Sequence, residues 1–145
     1  MISGKMLSLV AALVLGATAV QAELHEVQMV NRAESGRMAF EPAFLRIQPG
    51  DTVRFIASDR GHNAETIATM LPAGVEGFAG KINEEIEIVL DVEGLYGVKC
   101  KPHFNMGMVM TIAVGDVSQV PDTYFEGRIP KKAMVRFDTQ LTNLN

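Results

Sequence analysis

The chain of 145 residues has one cysteine, three histidines and no tryptophan. A single cysteine excludes an intramolecular disulfide framework. Three histidines exclude any site built from four imidazoles. Acidic side chains outnumber basic ones 17 to 13. That argues against a general nucleic-acid binder, because phosphate neutralisation needs a basic surface. Gly-x-Ser-x-Gly, His-Glu-x-x-His, a phosphate-cradling Gly-Lys-Ser/Thr loop and Cys-x-x-Cys are all missing, so hydrolase, nucleotide and dithiol chemistry find no support. What is present is a globular composition, 48% hydrophobic and 21% charged. Disorder, collagen-like repeats and coiled coil are thereby excluded as descriptions of the whole.

The N-terminus reads as a targeting segment. Lys5 is the lone charged side chain in a short polar start, and Leu7–Val20 is then apolar or small. Val20-Gln21-Ala22 places small residues at the third-last and last positions of a cleavage site, and acidic residues begin at Glu23. This is the pattern of a secretory leader. An apolar run of 14 residues falls short of the roughly 20 that a spanning helix needs, and no later stretch is a candidate. The expectation is a cleaved leader over 1–22 and one exported domain over 23–145. Losing the leader removes only Lys5 among charged residues, which leaves 12 basic and 17 acidic side chains and a net charge of −5. The compartment expected is the bacterial periplasm.

Alternation of apolar and polar residues predicts an all-β body. Strands are expected over Leu24–Val30, over Met38–Gln48 with a break at Pro42, and over Thr52–Ile56. Further strands are expected at Glu85–Leu90, Leu95–Cys100 and Met108–Val114. Pro49-Gly50-Asp51 reads as a tight turn that pairs Thr52–Ile56 with the preceding strand. Short strands punctuated by turns suit a Greek-key sandwich or barrel. From about residue 118 the pattern changes. Met134, Phe137, Leu141 and Leu144 recur at helical spacing, with Pro130 near the helix start. A shorter helix is expected at Pro121–Glu126, capped by Ser118 or Asp122.

The chemistry lies in Gly97-Val98-Lys99-Cys100-Lys101-Pro102-His103-Phe104-Asn105-Met106-Gly107-Met108. A thiolate, an imidazole and a thioether stand in the spacing Cys-x₂-His-x₄-Met, on a loop held by a strand at each end. An unpaired cysteine in an oxidising compartment needs a reason, and a metal thiolate supplies one. A soft S/N/S set selects copper over zinc, calcium or magnesium, and a trigonal His₂Cys site with a weak axial Met is the blue-copper arrangement. His62, in the polar loop Gly61-His62-Asn63, is the candidate second imidazole. Core packing of Met108 and a solvated His62 are the bland alternatives. Met106 is a second thioether in reach, so Met108 is chosen by spacing. His25, on the first strand, is read as structural and not as a ligand of this centre.

These motifs resemble the copper loop of the pseudoazurin family, a group of bacterial cupredoxins. The similarity extends through Phe40-Glu41-Pro42, Pro49-Gly50-Asp51-Thr52-Val53, Gly61-His62-Asn63, Lys81-Ile82-Asn83-Glu84 and Ile112-Ala113-Val114-Gly115-Asp116. It covers almost the whole chain after the leader. It implies a cupredoxin-like Greek-key β-sandwich of about eight strands followed by two C-terminal helices. It also implies one type 1 copper per chain, held by His62, Cys100, His103 and Met108, with Asn63 tying the two ligand loops together by hydrogen bonds.

The function so implied is single-electron transfer through Cu(I)/Cu(II), with no catalytic residue. The partners implied are copper nitrite reductase and c-type cytochromes of denitrifying bacteria. They would dock at an apolar patch around His103 formed by Pro102, Phe104, Met106 and Met38. Arg32, Arg60, Lys81, Lys99 and Lys101 form a candidate basic ring that would steer an acidic partner. A monomer is expected, since transient carriers need small interfaces. A periplasmic copper carrier is the competing reading. A reductase with its own catalytic copper would need more imidazoles than remain, and a metal-free interaction module would leave Cys100 unexplained.

Overall fold

A computed structural model describes residues 16–17 and 19–145. The leader expected over 1–22 falls largely outside the described residues. Among those described, no helix is long and apolar enough to cross a membrane.

Among the described residues, eight strands form two four-stranded sheets. The first sheet orders β2 (Gly36–Glu41), β1 (Leu24–Ala33), β4 (Asp51–Ile56) and β6 (Ile86–Leu90). The second orders β3 (Phe44–Ile47), β8 (Val109–Val114), β7 (Gly94–Lys99) and β5 (Glu65–Thr66). Pairs β1–β4 and β3–β8 are parallel, and the remaining ladders are antiparallel. The alternating inward side chains of both sheets meet in one core, with Val27, Met29, Phe40, Val53 and Phe55 from the first facing Tyr96, Val98, Met110, Ile112 and Val114 from the second. Phe40 and Phe55 pack edge to face, centroids 6.1 Å apart.

Three sequence expectations need correction. Thr52–Ile56 does not form a hairpin with the strand before it. Pro49-Gly50-Asp51 instead carries the chain from β3 in one sheet to β4 in the other, where β4 lies between β1 and β6. Pro42 likewise marks a crossing: β2 and β3, on either side of it, are edge strands of different sheets, where a residue without an N–H costs no ladder bond. Finally, no helix forms at Pro121–Glu126. The segment makes two turns closed by Tyr124 N–H to Pro121 O and Glu126 N–H to Thr123 O. Pro121 on one side, with Gly127 and Pro130 on the other, leaves too few residues to offset helix nucleation.

The tail therefore holds one α-helix, α1 (Lys131–Leu141), ending in a single 3₁₀ turn at Thr142–Leu144. It lies on the outer face of the second sheet. Ala133, Phe137 and Leu144 pack with Val109, Ala113, Leu95, Ile67, Met70 and Tyr124 in a second apolar cluster. The result is that β8 is covered on both faces, and all six of its residues are buried. Gln140 joins the buried face of α1 because it has partners there. It accepts from the Thr111 hydroxyl at 2.9 Å and donates to Val109 O at 2.9 Å, which offsets the cost of burying its amide.

Candidate metal centre

The loop between β7 and β8 is closed by its own backbone. Cys100 N–H donates to Met108 O at 3.0 Å, and Met108 N–H to His103 O at 3.1 Å. His103 N–H in turn reaches Cys100 O at 3.2 Å. Between them Lys101–Met106 winds as 3₁₀ turns opened by Pro102, whose fixed φ suits a first turn. Gly107 ends the loop with φ +88°, and a Cβ there would lie 2.9 Å from Lys132 O of α1. Left-handed backbone and close helix approach both require glycine at this point.

His62 comes from the loop after β4 and is fully buried. Its Nε2–H donates to Asn31 Oδ1 at 2.8 Å. An amide oxygen can only accept, so the proton is fixed on Nε2 and Nδ1 carries a lone pair. Asn31 is held in turn by its N–H to Asp59 Oδ2 at 2.7 Å. Asn63 performs the bridging role expected of it. Its Oδ1 accepts from Lys101 N–H at 2.7 Å, while its Nδ2 donates to Gly80 O and Glu65 Oε2, each at 3.0 Å.

The three donor atoms converge. His62 Nδ1 lies 3.1 Å from His103 Nδ1, and Cys100 Sγ lies 3.7 Å from the first and 3.5 Å from the second. A triangle with those sides has a circumradius of about 2.0 Å, close to the ~2.0–2.3 Å of metal–imidazole and metal–thiolate bonds. One soft sulfur and two imidazole nitrogens at that span fit copper in chemistry as well as in size. Met108 follows directly, fully buried and in the same apolar cluster as Cys100, whereas Met106 is 40% exposed. Burial thus also distinguishes Met108, the thioether chosen by spacing, from Met106.

The electrostatics of the donors pull in opposite directions, since a raised thiol opposes the thiolate that a metal needs whereas a lowered imidazole favours metal binding. Burial pushes the Cys100 thiol up, and hydrogen bonds from the Asn63 and His103 backbone only partly oppose this. Burial also holds His62 below the ordinary imidazole value, helped by repulsion from His103, which favours the neutral form that binds metals. His103 is only half-buried, with Phe104 beside it and the exposed Pro102 and Met106 nearby in the loop. Of the five cations expected to ring the patch, Arg32, Arg60, Lys81 and Lys101 are exposed. Lys99 is not a free charge: its Nζ lies 3.5 Å from Glu65 Oε1 and 4.9 Å from the centroid of the Phe104 ring.

Sequence reasoning missed three residues that shape the centre. Asn31 lies beyond the strand expected over Leu24–Val30, but β1 continues through Ala33 to a two-residue turn. Arg136, on the polar side of α1, donates to the carbonyls of Met38 at 2.6 Å and Gly107 at 2.9 Å. Asn83 donates its N–H to His62 O at 2.8 Å and accepts from Gly61 N–H at 2.6 Å. All three act across long sequence separations, and no local pattern announces them.

Residues 27–115 match the family described as copper-binding proteins of the plastocyanin/azurin family. The pseudoazurin of Paracoccus pantotrophus is 49% identical over 124 residues, with 86% of each chain covered. The chain belongs to the pseudoazurins. The crystal structure of pseudoazurin from Methylobacterium extorquens AM1 superposes with a TM-score of 0.79 at 35% identity, covering 84% of this chain and 99% of that one. That of Hyphomicrobium denitrificans gives 0.74 at 35% identity, covering 83% and 97%. The fold is therefore the cupredoxin sandwich of this family. Membership makes the chain a copper-dependent, blue-copper electron-transfer protein and not an enzyme.

Proposed function

We propose that this pseudoazurin carries single electrons in the bacterial periplasm through a type 1 copper held by His62, Cys100, His103 and Met108. The observation that supports this most is the buried triangle of Cys100 Sγ and the two Nδ1 atoms, sized for one metal ion. Copper, when bound, supplies the Cu(I)/Cu(II) couple. The chain's residues hold the donors in place from both sheets and exclude water, so reorganisation stays small. Cys100 would provide the thiolate, His62 and His103 the imidazole nitrogens and Met108 a thioether sulfur. The half-buried His103, set among apolar neighbours, is the point where a partner's acceptor comes close.

The export pattern ending at Ala22 supports cleavage of a leader over 1–22 and a mature domain over 23–145. The partners we infer are copper nitrite reductase or a c-type cytochrome in denitrification. They would dock on the patch of Pro102, Phe104, Met106 and Met38, with the exposed cations Arg32, Arg60, Lys81 and Lys101 steering approach. The protein acts as a monomer.

A titration of the purified protein with Cu(II), read by visible absorption and EPR, tests the site. The first equivalent is expected to give intense colour and an unusually small copper hyperfine splitting. Cys100→Ser is expected to abolish both while leaving the β-sheet circular dichroism unchanged. Absence of the intense colour even after two equivalents, with tetragonal signals alone, overturns the assignment. Rapid handover of Cu(I) to an apo-acceptor would favour a copper carrier instead.

A further inference from the structure

A second cluster of donor groups lies at the other end of the β1–β4 ladder. Asp51, buried at the start of β4, accepts from Glu23 N–H through Oδ1 at 2.9 Å, and its Oδ2 lies 2.9 Å from His25 Nε2. Glu23 Oε2 is 3.9 Å from the same ring nitrogen. The imidazole's other nitrogen, Nδ1, takes no hydrogen bond among the described residues. His62 follows the far end of β4, beyond the last parallel pair Gln28↔Ile56. The two clusters share no residue.

The chain around the expected leader cut is open. Val20 is 88% exposed, residues 19–23 are irregular and exposed, and β1 begins only at Leu24. Cutting after Ala22 turns the Glu23 nitrogen from a peptide amide into an α-amine. The chain then starts Glu23-Leu24-His25. A free amine with histidine at the third position offers four nitrogens in one plane: the amine, the next two amide nitrogens and imidazole Nδ1. They close fused chelate rings of five, five and six members. A tetragonal set of nitrogens suits Cu(II) and then Ni(II), and the Irving–Williams order puts Cu(II) first.

We propose that cleavage after Ala22 creates a second copper site, a tetragonal Cu(II) chelate formed by the Glu23 α-amine, the amide nitrogens of Leu24 and His25, and His25 Nδ1. The proposal rests on the leader reading above. Binding releases the two amide protons to solvent, with the ammonium proton where the amine is charged. No electron is transferred. The first three residues must leave β4, giving up the Thr52 N–H to Glu23 O bond of 2.8 Å and the first rungs Leu24↔Thr52 and His25↔Val53. The loss is confined to the strand's terminus, where Glu23 and Leu24 are already exposed. Asp51 keeps a partner in Gln48 N–H at 2.9 Å. The site would hold Cu(II) without a thiolate, so it would be nearly colourless beside the blue centre.

The test uses mature protein that begins at Glu23 and carries one copper in the blue centre, titrated with Cu(II) chloride. A second equivalent is expected, with a tetragonal EPR signal of large hyperfine splitting, bringing the total to two coppers per chain. One methionine placed before Glu23 moves histidine to the fourth position and is expected to return the total to one, with the blue spectrum unchanged. His25→Ala is expected to do the same. Failure to bind a second equivalent overturns the site. So does a second equivalent that survives the added methionine, since the side-chain cluster would then be the ligand. The intact mass of protein exported by a bacterial host tests the leader separately. A start at Glu23 supports it. Any other start overturns the leader reading and the site with it, whereas a Glu23 start without a second equivalent overturns the site alone.

Discussion

Asn31 and His62 are 31 residues apart, yet the Asn31 side-chain oxygen accepts from His62 Nε2 at 2.8 Å and so decides which imidazole nitrogen faces the other donors. Asn31→Leu removes that acceptor and leaves a buried N–H without a partner. Copper affinity is expected to fall by roughly 10–100-fold, the usual cost of losing an outer partner of a metal-bound histidine. Competition with a chelator of known affinity measures it. An unchanged affinity would mean that packing alone orients the ring.

Arg136 links α1 to the copper loop through the carbonyls of Met38 and Gly107. Arg136→Lys keeps the charge but loses the planar guanidinium, whose Nη1 donates to both carbonyls while its Nη2 donates to Arg37 O. Stability is expected to fall by about 1.5–3 kcal/mol, typical of hydrogen bonds to a charged group. The blue absorption band and reduction potential should shift with it, because Gly107 sits between His103 and Met108. Urea denaturation together with the visible spectrum checks both. A loss of stability with an unmoved spectrum would show that the tie is structural only.

Thr111 and Gln140 form a buried pair, with the Gln140 amide also serving Val109 O. Gln140→Leu strands the Thr111 hydroxyl and the carbonyl, at about 1–3 kcal/mol. Adding Thr111→Val to it removes one of the two orphans, so part of the loss is expected to return. A double-mutant cycle in urea isolates the coupling, and strict additivity would argue against the pair.

Burial alone would raise the pKa of Asp51. Hydrogen bonds from Glu23 and Gln48 N–H, and the contact with His25, outweigh it and hold the carboxylate below its ordinary value of 3.8. The unfolded chain therefore takes up this proton first as pH falls. The stability that Asp51 contributes is fully present above pH 3.8 and is lost as pH drops through the lower folded value. Asp51→Asn is expected to cost about 1–2 kcal/mol at neutral pH and to flatten the acid limb of the stability curve. Urea midpoints of both proteins, from neutral to strongly acidic pH in metal-free buffer, decide it.

What could be read ahead of the structure followed from how local each signal is. Cys100, His103 and Met108 lie in nine consecutive residues, so their chemistry is visible without knowing the fold. His62 needed only a polar loop after a strand. Alternation located β4 correctly but carries no information on its neighbour, and Pro49-Gly50-Asp51 looks the same whether it closes a hairpin or changes sheet. In the tail, the spacing of Phe137 on α1 and Leu144 in the turn after it is informative, while the buried face also takes Ala133 and Gln140. Gln140 is inside because Thr111 is there to meet it, a condition set by tertiary contact.

The double covering of β8 has a kinetic consequence. Amides open to solvent only as often as the structure around them loosens, and the slowest belong to segments that open with the whole fold. With the sandwich interior on one side and α1 on the other, β8 is expected to fall in that slowest class in deuterium exchange. Met108, the residue before it, is thus fastened to the part of the molecule that yields last. Fraying at the chain's beginning, however extensive, need not reach the Met108 sulfur or the His103 imidazole.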